Sequence, residues 1–135
     1  MAYDPNNIFA RILRGEIPCK KVDEDAHTLS FRDINPLAPT HVLVIPKTET
    51  DKFFDLSGVY LSELLLFAQP IAHAIESAYP CNRCGMSVIG LEVPHAHLHL
   101  VPINNADDLN FTREKLKVTP EELREDQERI VSFLH

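Results

Sequence analysis

One long segment with helical periodicity, residues 57–79, stands among short segments with strand periodicity. Apolar residues recur in it every three or four positions, as in an amphipathic helix that covers a core. They are Leu61, Leu64, Leu65, Ala68, Ile71, Ala72 and Ile75. We expect a kink at Pro70, because an internal proline removes a backbone donor. Since three strand-like segments precede this helix and two follow it, no strict βαβ alternation is present.

The remaining elements are short. Strand patterns cover residues 27–34, 40–47, 85–93 and 95–103, and a polar strand follows the turn within residues 16–25. Helices are predicted over residues 6–15 and 119–135, with Gly15 just past the first and a capping box at Thr119, Pro120 and Glu122 starting the second. Residues 104–118 form a predicted loop. The order α-β-β-β-α-β-β-α predicts an α+β class with a five-stranded, mostly antiparallel sheet and two main helices.

Composition excludes several function classes. A length of 135 residues suits one domain, and a net charge of −7 argues against a nucleic-acid partner while permitting a small nucleotide. No apolar run approaches the roughly 20 residues of a membrane span, and the first residues lack the pattern of a signal peptide. Three cysteines are an odd number, which argues against a disulfide framework. We therefore expect a cytoplasmic protein with reduced thiols and no membrane partner.

The stretch "PHAHLHLVPI", residues 94–103, places His95, His97 and His99 at strict alternation. On a strand they share one face, about 6.5–7 Å apart, close enough to surround a small anion. Three explanations remain open. A polar solvent face is weakened by the use of three of only seven histidines here. A metal site is weakened because same-face residues on a flat strand diverge. The third explanation is anion binding with nucleophilic catalysis.

Two upstream blocks bear on this choice. Together, "IFARILRGEIP", "LSFRDINPLAPTHVLVIPK" and "PHAHLHLVP" closely resemble the histidine triad (HIT) family of nucleotide hydrolases and transferases. The resemblance covers residues 7–103 in the family's order, and it includes the signature His-φ-His-φ-His-φ-φ, where φ is apolar. Residues 1–135 would then be a single histidine triad domain with the HIT-like fold.

The resemblance implies the activity and the roles of the histidines. It implies attack on the α-phosphate of a nucleoside 5′-phosphoramidate, phosphosulfate or dinucleotide, without a cofactor. The middle histidine, His97, would be the nucleophile and form a nucleotidyl-histidine intermediate. His99 would bind phosphate oxygens, His95 would assist as a hydrogen-bonding neighbour, and His41 would support the site. The family also implies a homodimer in which two sheets join.

The same resemblance implies a purine nucleotide pocket. Ile8, Phe9, Ile12 and Phe31 would enclose the base, with Ile34 at the edge. Each could equally be an ordinary core residue. Asp33 would accept hydrogen bonds from the ribose hydroxyls, and it is more telling because a charged residue on an apolar strand face requires a partner.

The chain departs from the family just before the triad, in "SVIGLEVPH". Leu91 stands where glutamine is usual and Glu92 where a hydroxyl residue often lies, and the asparagine loop is shortened. We hypothesise that Glu92 faces the leaving group and favours a cationic amine; the alternative is a solvated charge at a strand end.

Metal ligands are not expected. Some bacterial members hold zinc at positions that here read Asn7, Ala10 and Glu49, so the family zinc site is absent. Cys81 and Cys84 have ligand spacing without a second pair nearby, and we interpret them as reduced turn cysteines. The leading function is a phosphoramidate hydrolase. A dinucleoside polyphosphate hydrolase and a nucleotide-binding regulatory module with weak turnover are the alternatives.

Overall fold

The computed structural model describes residues 2–134 and confirms the predicted order of elements. The helices are α1 (Ile8–Leu13), α2 (Gly58–Ala78) and α3 (Pro120–Ser132), and the strands are β1 (Lys21–Glu24), β2 (Thr28–Arg32), β3 (Val42–Pro46), β4 (Arg83–Ser87) and β5 (Leu98–Ile103). Short 3₁₀ turns at Phe53–Asp55 and Ala106–Leu109 were not predicted. His135, at the end of the last predicted helix, lies outside the described residues.

The strands form one sheet in the order β1-β2-β3-β5-β4, and every neighbouring pair is antiparallel. The α+β class is therefore confirmed. One face of the sheet packs against α2 and α3 through a buried cluster that includes Val42, Val44, Leu64, Ile71, Ile75, Leu98 and Ile130. The other face carries a smaller cluster beside α1, made of Phe9, Leu29, Phe31, Leu43 and Ile45.

The predicted helix ends are confirmed by their hydrogen bonds. The side chain of Thr119 accepts from the backbone N–H of Glu122, and the carboxylate of Glu122 accepts from the N–H of Thr119. Gly15, just beyond α1, has a φ of +79°, a conformation that glycine adopts without steric cost. Helix α2 continues through Pro70 to Ala78 as one helix.

We expected no segment with the length of a membrane span, but helix α2 has that length. By length and composition alone it is apolar enough to cross a membrane, and 28% of its most apolar window is buried. Because its face containing Leu64, Ile71 and Ile75 packs on the sheet, we interpret α2 as a core helix.

The two strands around the triad are shorter than predicted. Strand β4 ends at Ser87 and β5 begins at Leu98, so residues 88–97 form a loop. Gly90 has a φ of +70°, outside the conformations of a strand. The N–H of Ala96 donates to the carbonyl of Thr50, away from the sheet. The prediction that all three histidines alternate along one strand is therefore wrong for His95 and His97, and correct for His99.

Candidate active site

A cavity of about 440 Å³ lies on the sheet face opposite α2. Its wall includes Ile8, Phe9, Ile12, Phe31, Asp33, Ile34, Glu92, His97 and His99, all of which were predicted from the sequence. His41 and His95 are buried behind the wall and do not line the cavity. Strand pairing explains part of this gathering, because Phe31, Leu43 and His99 are direct cross-strand neighbours in β2, β3 and β5.

The hydrogen bonds of His97 assign its tautomer. Its Nδ1 lies 2.6 Å from the backbone carbonyl oxygen of His95. A carbonyl only accepts, so Nδ1 carries the proton and Nε2 of the neutral ring keeps a lone pair. Burial lowers the pKa of His97, which favours this neutral form. Phe9 contacts the ring edge-on at 4.9 Å between centroids. The cavity wall thus contains a neutral imidazole with a free nitrogen lone pair.

His41 and His99 form a directed pair. The backbone N–H of Leu37 donates to Nδ1 of His41 over 2.9 Å, so His41 carries its proton on Nε2. That Nε2–H donates to Nδ1 of His99 over 3.0 Å, which leaves His99 with its own proton on Nε2. Burial is the largest cause that lowers the pKa of His99, to about 3. His99 is therefore a neutral hydrogen-bond donor beside the lone pair of His97.

His95 has a different place from the other two triad histidines. Its Nε2–H donates to the carbonyl of Pro46 over 2.9 Å, and its Nδ1 accepts from the hydroxyl of Tyr3 over 2.5 Å. Both ring nitrogens are thus occupied, and burial lowers the pKa of the ring. What His95 contributes next to the cavity is its backbone carbonyl, which orients His97.

Sequence reasoning missed the support behind His41. The guanidinium of Arg32 is fully buried, donates to the backbone carbonyl of His41, and donates to Asp126 of α3 over 3.1 Å. Thr40, just before His41, has a φ of +65°, which is strained for a β-branched residue. The alternation of β2 could have indicated this contact. It places Arg32 on the sheet face that α3 covers, and Phe31 and Asp33 on the other face.

Asp33, His41 and His99 bring three ligand atoms within 4.8 Å of one another, a geometry that could hold a metal ion. The proton positions oppose this use. Nδ1 of His41 accepts from the N–H of Leu37, so binding a metal at Nε2 would remove the one N–H proton of the neutral ring and require an imidazolate anion. The trio is therefore better described as a hydrogen-bonded histidine pair with the carboxylate of Asp33 nearby, 3.5 Å from Nε2 of His41. Burial raises the pKa of Asp33, while its Oδ1 accepts from the backbone N–H of Asn35 over 2.8 Å.

Of the three cysteines, Cys19 lines this cavity, and Cys81 and Cys84 do not. All three are free thiols. Burial raises the pKa of each and brings that of Cys84 to about 12, so the thiols stay protonated near neutral pH. Cys84 belongs to β4 and not to the preceding turn, where we had placed it.

An antiparallel α+β fold with neutral histidines in the wall of a mostly apolar cavity is typical of a small ligand-binding protein. The HIT domain family model matches residues 14–106. The chain therefore belongs to the HIT family, as its sequence motifs indicated.

Three relatives illustrate the similarity. An uncharacterized 13.2 kDa HIT-like protein of Azospirillum brasilense is 48% identical over 106 residues, covering 73% of this chain and 86% of that protein. The adenosine 5′-monophosphoramidase hnt1 of Schizosaccharomyces pombe is 32% identical over 127 residues, covering 93% and 96%. The crystal structure of a Hit-like protein from Bartonella henselae is 33% identical and superposes with a TM-score of 0.86, covering 98% and 99%.

Two cavity residues come from the chain that follows the part matched by the family model. Phe111 packs against His99 at 4.5 Å between centroids, and Lys115 lies near the Phe111 ring. Both come from residues 104–118, predicted only as a polar loop. The sequence shows an aromatic residue and a lysine within that loop, but no local periodicity predicts that they reach the site.

Proposed function

We propose that this protein hydrolyses the bond between the α-phosphorus and the leaving group of a nucleoside 5′-phosphoramidate or a related nucleotide conjugate. The observation that carries the proposal is the tautomer of His97, whose protonated Nδ1 is held by the His95 carbonyl while Nε2 keeps its lone pair in the cavity wall. Relatives named adenosine 5′-monophosphoramidase support the same chemistry.

In the first step, Nε2 of His97 attacks the α-phosphorus, and the bond from phosphorus to the amine nitrogen breaks. The amine leaves with the bonding electron pair and takes a proton from solvent water. Nε2 of His97 then carries the nucleotidyl group, while the proton stays on Nδ1 and is donated to the His95 carbonyl. In the second step, water adds its oxygen to phosphorus and gives up a proton to solvent. Nε2 is released with its lone pair restored.

The neighbouring groups suit the charges of this reaction. His99 lies two residues after His97. Its Nε2–H would donate to the phosphate oxygens and stabilise their negative charge. Because His41 already donates to Nδ1 of His99, the direction of that donor is fixed. His95 takes part through its carbonyl alone.

The nucleoside would occupy the apolar part of the cavity. Ile8, Phe9, Ile12 and Ile34 would enclose a purine base, and Phe31 would form the floor. Asp33 would accept from the ribose hydroxyls; within residues 2–134, Asp33 and Glu92 are the two acidic residues that line this cavity.

The leaving group would meet residues 89–92. Leu91 is 89% exposed although it borders the cavity, and Glu92 is an exposed carboxylate beside it. We propose that Glu92 favours a cationic amine as the leaving group. An exposed leucine in place of a polar residue lowers the number of donors at this end of the cavity.

Covalent labelling tests the function. Wild type incubated with an adenosine 5′-phosphoramidate should gain the mass of one adenylyl group, and the His99→Gln variant should retain that mass longer because its second step is slower. His97→Ala should show neither label nor hydrolysis. Hydrolysis that survives in His97→Ala would overturn the proposed nucleophile. Tight nucleotide binding by wild type without turnover would instead support a nucleotide-binding module, and faster cleavage of diadenosine polyphosphates would support the dinucleotide alternative.

We also propose that two copies join along β4 as a homodimer. Strand β4 is an edge strand that pairs only with β5, whereas the opposite edge, β1, is partly covered by the side chain of Gln127. Met86, Val88 and Ile89 expose apolar side chains along or just after this edge, with Met86 51% exposed. Light scattering should give twice the chain mass for wild type and a lower mass for Met86→Lys; a monomeric wild type would refute the proposal.

A further inference from the structure

A second cavity, of about 530 Å³, adjoins the candidate active site. The two cavities share Ile34, Asn35 and Lys115 in their walls. The rest of the second wall comes from the segment before α3, namely Glu114, Leu116, Lys117, Val118 and Thr119. Because the hydrolytic reaction described above uses none of these side chains, the second cavity needs another explanation.

Its cations are available to a ligand. No carboxylate oxygen lies within 4.0 Å of the ammonium of Lys115 or Lys117 in the described part of the chain, residues 2–134. Lys115 is half-buried and donates only to the backbone carbonyls of Phe111 and Arg113. Glu114 is the one acid in this wall, so two lysines outnumber it. The wall is suited to an anion.

The position of the cavity limits which part of a nucleotide could reach it. Asp33, placed at the ribose hydroxyls in the proposed function, is followed directly by Ile34 and Asn35, which begin the shared wall. His97 lines the first cavity only. The second cavity therefore opens from the sugar side of the site and not from the side of the nucleophile.

The segment that builds this cavity is held in place. The backbone N–H of Leu116 donates to the carbonyl of Pro36 over 2.9 Å, which ties residues 114–119 to the turn after Asp33. Thr119 begins the capping box of α3. Residues 114–119 lie outside the 14–106 region that the family model matches, whereas Ile34 and Asn35 lie within it.

We propose that the second cavity is a subsite for a phosphate on the ribose 3′ oxygen, contacted by Lys115 and Lys117. The proposal rests on the proposed function and specifies its substrate class, a nucleoside 5′-conjugate that carries a 3′-phosphate. Asn35 can donate its side-chain amide to the same phosphate. In this substrate class the 3′ hydroxyl is esterified, so Asp33 accepts from the 2′ hydroxyl alone. The bond that breaks stays at the 5′ α-phosphorus, and the 3′-phosphate serves only binding.

The test compares two conjugates with the same leaving group, adenosine 5′-phosphoramidate and its 3′-phosphorylated analogue. The 3′-phosphate should raise kcat/KM about tenfold through a lower KM, since a hydrogen bond to a charged group contributes about one power of ten. Lys115→Met and Lys117→Met should each reduce that preference several-fold, and the double variant should abolish it. Lys52→Met, an exposed lysine on a different loop, is the matched control and should keep the preference.

Calorimetry separates this proposal from the proposed function. Adenosine 3′,5′-bisphosphate should bind wild type about tenfold more tightly than AMP, and the double variant should bind the two equally. The Lys115 ammonium also donates to the carbonyls of Phe111 and Arg113, so Lys115→Met changes that turn as well as the subsite. Lys117→Met tests the subsite without this change. If neither conjugate is hydrolysed while the bisphosphate still binds more tightly, the proposed reaction fails and the subsite stands. Equal kcat/KM and equal affinity for the two nucleotides in wild type would overturn the subsite.

Discussion

The buried neutral histidines make a quantitative prediction about stability and pH. His99 is 8% exposed, and burial lowers its pKa from 6.5 to about 3. In the unfolded chain its ring takes up a proton near pH 6.5, whereas in the folded protein it stays neutral until about pH 3. The unfolded state therefore binds more protons in this window, and stability is lost as the pH falls from 6.5 toward 3.

The magnitude follows from these two pKa values. Between pH 7 and pH 5, His99 alone should lower the free energy of unfolding by about 2 kcal/mol. His41, His95 and His97 also have lowered pKa values because they are buried, so they act in the same direction. Burial raises the pKa of Asp33, which acts in the opposite direction. A single-site comparison is therefore needed.

Urea denaturation of wild type and His99→Gln at pH 7 and pH 5 makes that comparison. Glutamine keeps an acceptor for the Nε2–H of His41 but does not titrate. Its variant should lose about 2 kcal/mol less than wild type over the same interval. His73→Gln, the same substitution at an exposed position on α2, is the matched control. Equal losses in wild type and His99→Gln would refute the reasoning that burial holds His99 neutral.

Three further predictions concern groups around the cavity. Asp126→Asn should lower the free energy of unfolding by about 2 kcal/mol in urea titrations, because the buried guanidinium of Arg32 loses its charged partner; an unchanged midpoint would contradict this. Glu92→Gln should lower kcat/KM for a lysyl phosphoramidate more than for a neutral one, and equal losses would eliminate the role of its charge. Tyr3→Phe should lower the free energy of unfolding by about 1 kcal/mol through the lost hydrogen bond to His95, whereas a stability equal to wild type would show that this bond contributes nothing.

Much of the fold was predictable from local pattern. The periodicities of α2 and β3 and the capping box of α3 depend on neighbouring residues only, and each formed where it was expected. The gathering of α1, β2 and β5 side chains at one cavity was predicted through the family resemblance. Apolar alternation alone leaves open whether a side chain such as Phe31 faces a cavity or a solid core.

What the sequence did not predict depends on contacts between distant segments. The Arg32–Asp126 pair joins residues 94 positions apart, and Tyr3 reaches His95 over 92 positions. Neither pairing leaves a periodic trace in the chain. The position of Lys115 likewise depends on the path of residues 104–118 over the sheet. The polar composition of this segment does not predict that path.

The early end of the strand at the triad explains why the three histidines are not equivalent. In a regular strand, backbone carbonyls point toward neighbouring strands, and side chains stand perpendicular to the sheet. Residues 95–97 lie outside the ladder, so the carbonyl of His95 is free to accept from Nδ1 of His97 two residues later. His99 lies within β5, where its Nδ1 accepts from His41 instead. Alternation along the chain places the imidazoles near one another. The departure from the strand ladder lets the His95 carbonyl hold the Nδ1 proton of His97, so the lone pair of that ring is on Nε2. A related chain whose strand continued through this position would keep the motif and lose the contact that orients the ring of His97.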